Sequence, residues 1–254
     1  MALFIFMNVS YFRFYEKLND FLSVNQRKKT VQYPFKGSPA IKDPIEAQGV
    51  PHTEVDLIVV NGESVDFKYR LQHGDRVSVY PIFENFDITS IVKLREQPLR
   101  RIAFLLDVNL GKLARRLRML GFDASYKNNY TDVDLVRITV AEKRVLLTRD
   151  RRLLFHKSII HGYWVRATEP DVQVTEVMCR FDLHSMIRPF HRCLECNGLI
   201  APVAKQDIID RLLPLTTKYY DKFYRCVNCD KIYWQGSHMQ HMTQTVDAIV
   251  RKQS

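Results

Sequence analysis

Asp107 and Asp150 each follow a short apolar run, in RIAFLLD (101–107) and VLLTRD (145–150), and Asp132 and Asp134 open the segment DVDLVRITVAEK (132–143). A carboxylate at the end of a buried strand sits where open parallel sheets bind ligands, in the crevice beyond the strands' carboxyl ends. Carboxylates gathered there repel one another. A hard divalent cation such as Mg²⁺ or Mn²⁺ prefers oxygen ligands and relieves that repulsion. Bound to a phosphodiester, it also makes water nucleophilic at neutral pH. Each residue has a plainer reading too: Asp107, Asp132 and Asp134 as helix caps, Asp150 as an ion-pair partner of Arg149 or Arg152.

The same stretch surrounds Asp150 with Arg149, Arg151 and Arg152, and LGKLARRLRMLGF (110–122) adds Arg115, Arg116 and Arg118. The formal net charge is +10, and residues 93–166 hold all of it, with 17 Lys/Arg against 7 Asp/Glu. Such a footprint suits an anionic polymer whose phosphates supply most of the non-specific affinity. The alternative is a solvated basic surface. Tyr126 and Tyr130 could stack on unpaired bases or pack as ordinary aromatics.

Four of the five cysteines form two pairs, Cys193-x-x-Cys196 and Cys226-x-x-Cys229, 29 residues apart. Each pair fits a tight turn that presents two thiolates, and two such turns make a closed tetrahedral site suited to structural Zn²⁺. Metal binding there would contribute on the order of 10 kcal/mol or more to folding. A redox role explains two matched pairs less well. His238 and His241 follow in YWQGSHMQHM (233–242) and could ligate metal or touch phosphate; Cys179 reads as a small buried residue.

The 254 residues favour more than one domain. No apolar run approaches the ~20 residues of a membrane helix, so no membrane is expected. The N-terminal MALFIFMNVSYFRF lacks a basic start and a small-residue cleavage site and reads as a strand, which points to the cytoplasm. In block 1–90, TEVDLIVV (53–60), SVDFKY (64–69) and HGDRVSVYP (73–81) read as strands and Asn61-Gly62 as a tight turn. KDPIEAQGV (42–50) reads as a short helix capped by Asp43, so this block is α+β. Residues 91–100 read as a linker. In block 101–180, strands at 101–107, 145–147 and 162–167 alternate with amphipathic helices at 110–122 and 132–143, which implies an α/β fold with a mostly parallel sheet. The second helix turns Leu135, Ile138 and Thr139 inward. Block 181–242 holds the cysteine pairs, and 243–254 is a tail.

These segments carry a resemblance. VNGESV and HGDRVSVYP resemble β-grasp, ubiquitin-like domains of the sulfur-carrier type, but no terminal Gly-Gly follows, so a binding or scaffolding role is implied instead of carrier chemistry. FLLDVNLGKLARRLRMLGFDASYKNNYTDVDL and RVLLTRDRRLL resemble the Mut7-C domain of the PIN-like nucleases, and YWQGSHMQHM resembles the end of its zinc ribbon. The implied protein is a multidomain α/β chain: a β-grasp domain (1–90), a PIN-like domain (101–180) and a zinc ribbon (181–242). The resemblance implies RNA cleavage with Asp107, Asp132, Asp134 and Asp150 as catalytic residues, Mg²⁺ or Mn²⁺ held by Asp107, Asp132 and Asp150, and Zn²⁺ held by the cysteines. Glu169 and Asp171 are candidates for a further acid by position. Arg149, Arg151, Arg152, Arg115, Arg116 and Arg118 would track RNA, and the ubiquitin-like block would contact RNA or a protein partner. The alternative is an RNA- or ribosome-associated binding protein that no longer cleaves.

Overall fold

The computed structural model describes residues 7–81 and 102–251, with the side chains of 237, 238, 240, 241, 250 and 251 left aside. The expected linker at 91–100 lies outside the described residues. These residues form two compact units, 7–81 with 150–164, and 102–149 with 165–251.

The first unit is built on a five-stranded sheet. Its strands are β1 (Asn8–Phe14), β2 (Thr30–Phe35), β3 (Leu57–Val60), β4 (Glu63–Val65) and β5 (Arg76–Tyr80), in the order β2-β1-β5-β3-β4. β1 runs antiparallel to β2 and parallel to β5, the β-grasp arrangement. Alternation along NVSYFRF places Phe12 and Phe14 on one face, where they meet Ile58, Val77, Val79 and Ile45 of helix α1 (Lys42–Ala47) in one core. Asn61 and Gly62 turn the β3–β4 hairpin with φ of 51° and 96°, as a two-residue turn of this hand requires. β4 stops at Val65, short of the expected 64–69, because the Asp66 carboxylate accepts the Lys68 N–H and closes a local turn. Asp43 does not cap α1; the helix starts at Lys42, and the Ile41 N–H before it donates to Tyr69 O at 2.8 Å.

The second unit begins with β6 (Ala103–Leu106), α2 (Gly111–Met119), β7 (Asp123–Ser125), α3 (Asp132–Glu142) and β8 (Val145–Thr148). β6 lies between β7 and β8 and parallel to both. α2 buries Leu113, Ala114 and Leu117, and α3 buries Leu135, Ile138 and Thr139, the inward face its spacing predicts. α2 ends at Gly121, whose φ is +96° and where a Cβ would lie 2.1 Å from Arg188 O. Only glycine meets both demands.

After β8 the chain enters the first unit over residues 150–164, which include the short strand β9 (Gly162–Trp164). His52 and its neighbours receive this segment. His52 faces Glu46 Oε1 at 2.6 Å with one ring nitrogen and Ile159 O at 2.8 Å with the other. Thr53 Oγ1 donates to Leu154 O, and Glu54 accepts the Trp164 N–H at 2.6 Å.

The second unit continues with α4 (Pro170–Arg180), then an antiparallel sheet of β10 (Ile200–Val203), β11 (Phe223–Cys226) and β12 (Ile232–Trp234). α5 (Pro214–Tyr219) lies between β10 and β11 in sequence, and α6 (Ser237–Arg251) follows β12. The expected tail from 243 is therefore helical as far as Arg251. Val246 and Ile249, three apart on one side of α6, are buried, which gives that helix its reason to continue. No helix among the described residues is long and apolar enough to cross a membrane.

Candidate active site and four-cysteine centre

Asp107 stands at the end of β6 and caps the short turn Val108–Leu110. It is 7% exposed. Oδ2 accepts the Thr148 hydroxyl at 2.6 Å, and Oδ1 accepts the Val108 N–H at 2.6 Å. Its own N–H donates to Leu147 O across to β8. The carboxylate is thus oriented by the neighbouring strand's last residue. Tyr126 supports the same turn: its hydroxyl donates to Val108 O at 2.9 Å, and its ring occupies the space a side chain at Gly111 would need. Tyr126 is therefore a packing aromatic.

Asp134 belongs to a capping box. Thr131 Oγ1 accepts the Asp134 N–H, and Asp134 Oδ2 accepts the Thr131 N–H and hydroxyl, at 3.2 and 2.9 Å. Arg137 adds an ion pair at 3.1 Å. The Thr131 hydroxyl and N–H, with Arg137 beside them, hold the Asp134 carboxyl below its ordinary range. Asp132 is the exposed first residue of α3. Asp150 lies in the first unit, where its Oδ1 accepts the Arg152 N–H at 2.9 Å and faces the Arg152 guanidinium at 3.5 Å. Among the described residues, the carboxylates Asp107, Asp132 and Asp134 form no group close enough to share an ion. Glu169 precedes α4 as its N-cap without a side-chain bond, and Asp171 pairs with Arg116 at 2.8 Å.

The arginines divide by surroundings. Arg118, one of the arginines read as tracking RNA, is instead buried, at 4% exposed. It donates to the carbonyls of Ala124, Leu194 and Glu195, at 2.8, 3.0 and 2.8 Å, so no phosphate can reach it. Helix periodicity cannot show this, because the covering chain comes from beyond residue 190. Arg149 turns to the carbonyls of Val165, Arg166 and Ala167. Arg151 donates to Phe21 O at 3.0 Å and lies over the rings of Phe21 and Trp164, 4.9 and 5.1 Å from their centroids. Arg152 is 94% exposed at its side chain. Arg115 pairs with Glu195 at 3.3 Å and is half exposed.

Two half-buried carboxylates had no signal in the sequence. Asp123 binds Arg144 at 2.6 Å, Arg192 at 3.2 Å and Asn197 Nδ2 at 2.8 Å. Burial opposes its ionisation, but Arg144, Asn197 and Arg192 outweigh that and lower its pKa. Glu176 accepts the N–H groups of Arg166 and Ala167, each at 2.9 Å. The Thr148 hydroxyl did leave a signal, as a polar residue ending the apolar run VLLT.

The four cysteines of the two pairs bring their Sγ atoms within 4.8 Å of one another. Cys193 lies 3.6 Å from Cys229 and Cys196 lies 3.4 Å from Cys226. Four thiolates 2.3 Å from one zinc ion would stand about 3.8 Å apart, so the donor set fits a tetrahedral ion. The two turns are built alike: Asn197 and Asp230, each four residues past the first cysteine, take φ of 68° and 60°. Backbone N–H groups of Gly198 and Asn228 donate to Cys196 and Cys226 sulfur. Tyr233 Oη lies 3.0 Å from Cys193 Sγ. Burial disfavours the Cys193 thiolate, but Tyr233 and the N–H groups of Cys196 and Glu195 bring its pKa down to about 7. His238 and His241 lie on α6, and their side chains are outside the described residues.

A parallel sheet thus ends on an oriented carboxylate, and a four-cysteine cluster follows it in the chain. Residues 102–246 match the model of the Mut7-C RNase domain, and residues 7–87 match the model of the Mut7-C ubiquitin domain. The chain belongs to the Mut7-C RNase domain family and carries that family's ubiquitin-like domain at its N-terminal side. No curated protein and no solved structure gives a significant match.

Proposed function

We propose that this chain is a metal-dependent ribonuclease that hydrolyses RNA phosphodiester bonds. One observation carries the reading: in a chain of the Mut7-C RNase family, Asp107 is held by Thr148 at the carboxyl edge of a parallel sheet. Asp107 and Asp150 are the proposed ligands of Mg²⁺ or Mn²⁺, with Asp132 completing the set and Asp134 fixing the start of α3. The ion would polarise a phosphate oxygen and lower the pKa of a bound water. Thr148 keeps one Asp107 oxygen occupied and the carboxylate in a single orientation. Arg152, Arg115 and Arg116 offer cations toward solvent for the RNA backbone. The cysteine centre would hold Zn²⁺ and shape the ribbon. The ubiquitin-like fold would add a contact to RNA or to a protein partner. A reducing compartment such as the cytoplasm suits thiolates kept for a metal.

A second reading, an RNA- or ribosome-associated protein that binds without cutting, is favoured by a specific observation. Asp134 is engaged in its capping box, and Asp107, Asp132 and Asp134 do not gather around a common point. Cleavage of single-stranded and structured RNA with Mn²⁺, Mg²⁺ or EDTA separates the two. Metal-dependent cuts that vanish in Asp107→Asn and Asp150→Asn, both folded and zinc-loaded, support the nuclease. Binding without cuts, unchanged in the variants, selects the second reading.

A further inference from the structure

Beside the cysteine turns, inside the second unit, lies an open cavity of about 560 Å³. Five of its lining side chains are aromatic and half-buried: Phe190, Tyr220, Tyr224, Tyr233 and Trp234. Two cations stand at its rim, Arg115 from α2 and Lys231 from the turn before β12. Both reach the same carboxylate, Glu195, at 3.3 and 2.8 Å, which leaves the rim with one positive charge in excess. The floor is kept open by Gly236, where a Cβ would lie 2.9 Å from Trp234 Nε1 and 3.7 Å from Tyr220 Oη.

We infer that this cavity takes one unpaired base of a single-stranded RNA, with the adjoining phosphate at Arg115 and Lys231. The choice of RNA as ligand rests on the proposed function. The chemistry fits in three respects. Aromatic faces stack on any base, because every base has a π-face. The polar tips of the tyrosines and the indole suit a ligand whose ring edges carry donors and acceptors. The excess rim cation meets the charge that an apolar peptide or a neutral small molecule would not bring. A base inserted here would anchor the strand on the ribbon, through stacking and one phosphate contact, without any requirement for base identity.

The test uses the full, zinc-loaded chain with no added Mg²⁺ or Mn²⁺, so that binding is read without cleavage. A uridine hexaribonucleotide and the same hexamer lacking all bases are titrated by fluorescence anisotropy. The base-free strand should bind about tenfold more weakly. Tyr224→Leu and Gly236→Ala should each weaken the base-containing strand about tenfold and leave the base-free strand unchanged. Lys231→Gln should weaken both and reduce the salt dependence by about one phosphate contact. Equal binding of the two strands, or folded Tyr224→Leu and Gly236→Ala proteins that bind as wild type does, overturns the inference. So does a cavity that binds neither strand. If RNA is cleaved while these variants bind normally, this inference alone fails. If the hexamer occupies the cavity and nothing is ever cut, the nuclease reading fails and the inference stands.

Discussion

The Thr148 hydroxyl donates to the Asp107 carboxylate at 2.6 Å, joining the last residue of β8 to the residue that follows β6. Both side chains are buried, so the bond fixes a carboxylate that solvent cannot reorient. Thr148→Val keeps the side-chain shape and removes the donor. It should cost about 1–3 kcal/mol in denaturant unfolding, since a buried acceptor loses its partner. If the nuclease reading holds, it should also lower the metal-dependent cleavage rate at least about tenfold, and Thr148→Ser should recover most of it. A Thr148→Val protein that cuts as fast as wild type would remove Thr148 from the mechanism.

Arg118 and Arg152 should answer differently to substitution. Arg118 satisfies three backbone carbonyls from within the protein. Arg118→Met should destabilise the fold by about 3 kcal/mol through those stranded acceptors. Arg152→Gln should leave stability nearly unchanged and lessen the salt dependence of RNA affinity by about one contact. Urea melts and a salt series of binding curves read the two effects separately.

Acid should act through Asp123. Its carboxyl is held below the ordinary range, so its contribution is present above the unfolded pKa of about 4 and lost as pH falls through the lower folded value. Asp123→Asn should therefore destabilise the protein at neutral pH and flatten the acid limb of its stability curve below about pH 4. The slope of unfolding free energy against pH, compared with wild type, checks this.

Metal analysis should return one Zn²⁺ per chain. Chelation should raise the reactivity of Cys193, Cys196, Cys226 and Cys229 toward a thiol reagent and unfold the β10–β12 sheet. Cys193→Ser should have the same effect without a chelator. A chain that keeps its ribbon and its thiol protection after complete zinc removal would contradict a structural metal centre.

What could be read from sequence followed the range of the interactions. The paired cysteines, the Asn61-Gly62 turn and the inward face of α3 are patterns within a few residues, and local geometry realises them. Asp107 at a strand end was equally local. Arg118 was not legible, because the chain that buries it lies more than 70 residues away. The three arginines around Asp150 look alike in sequence. In the structure, one faces carbonyls, one lies between aromatic rings, and one faces solvent. Their partners are tertiary, and no local propensity distinguishes them.

The way residues 150–164 settle among the side chains of His52, Thr53, Glu54 and Phe21 has a consequence for ancestry and for dissection. The stretch 150–164 of the Mut7-C match folds with the ubiquitin-like domain, so neither module is a detachable cassette. Excision of residues 1–90 would leave Trp164, Arg151 and the Ile159 carbonyl without their partners Glu54, Phe21 and His52. The pair should therefore be inherited, lost and expressed as one piece.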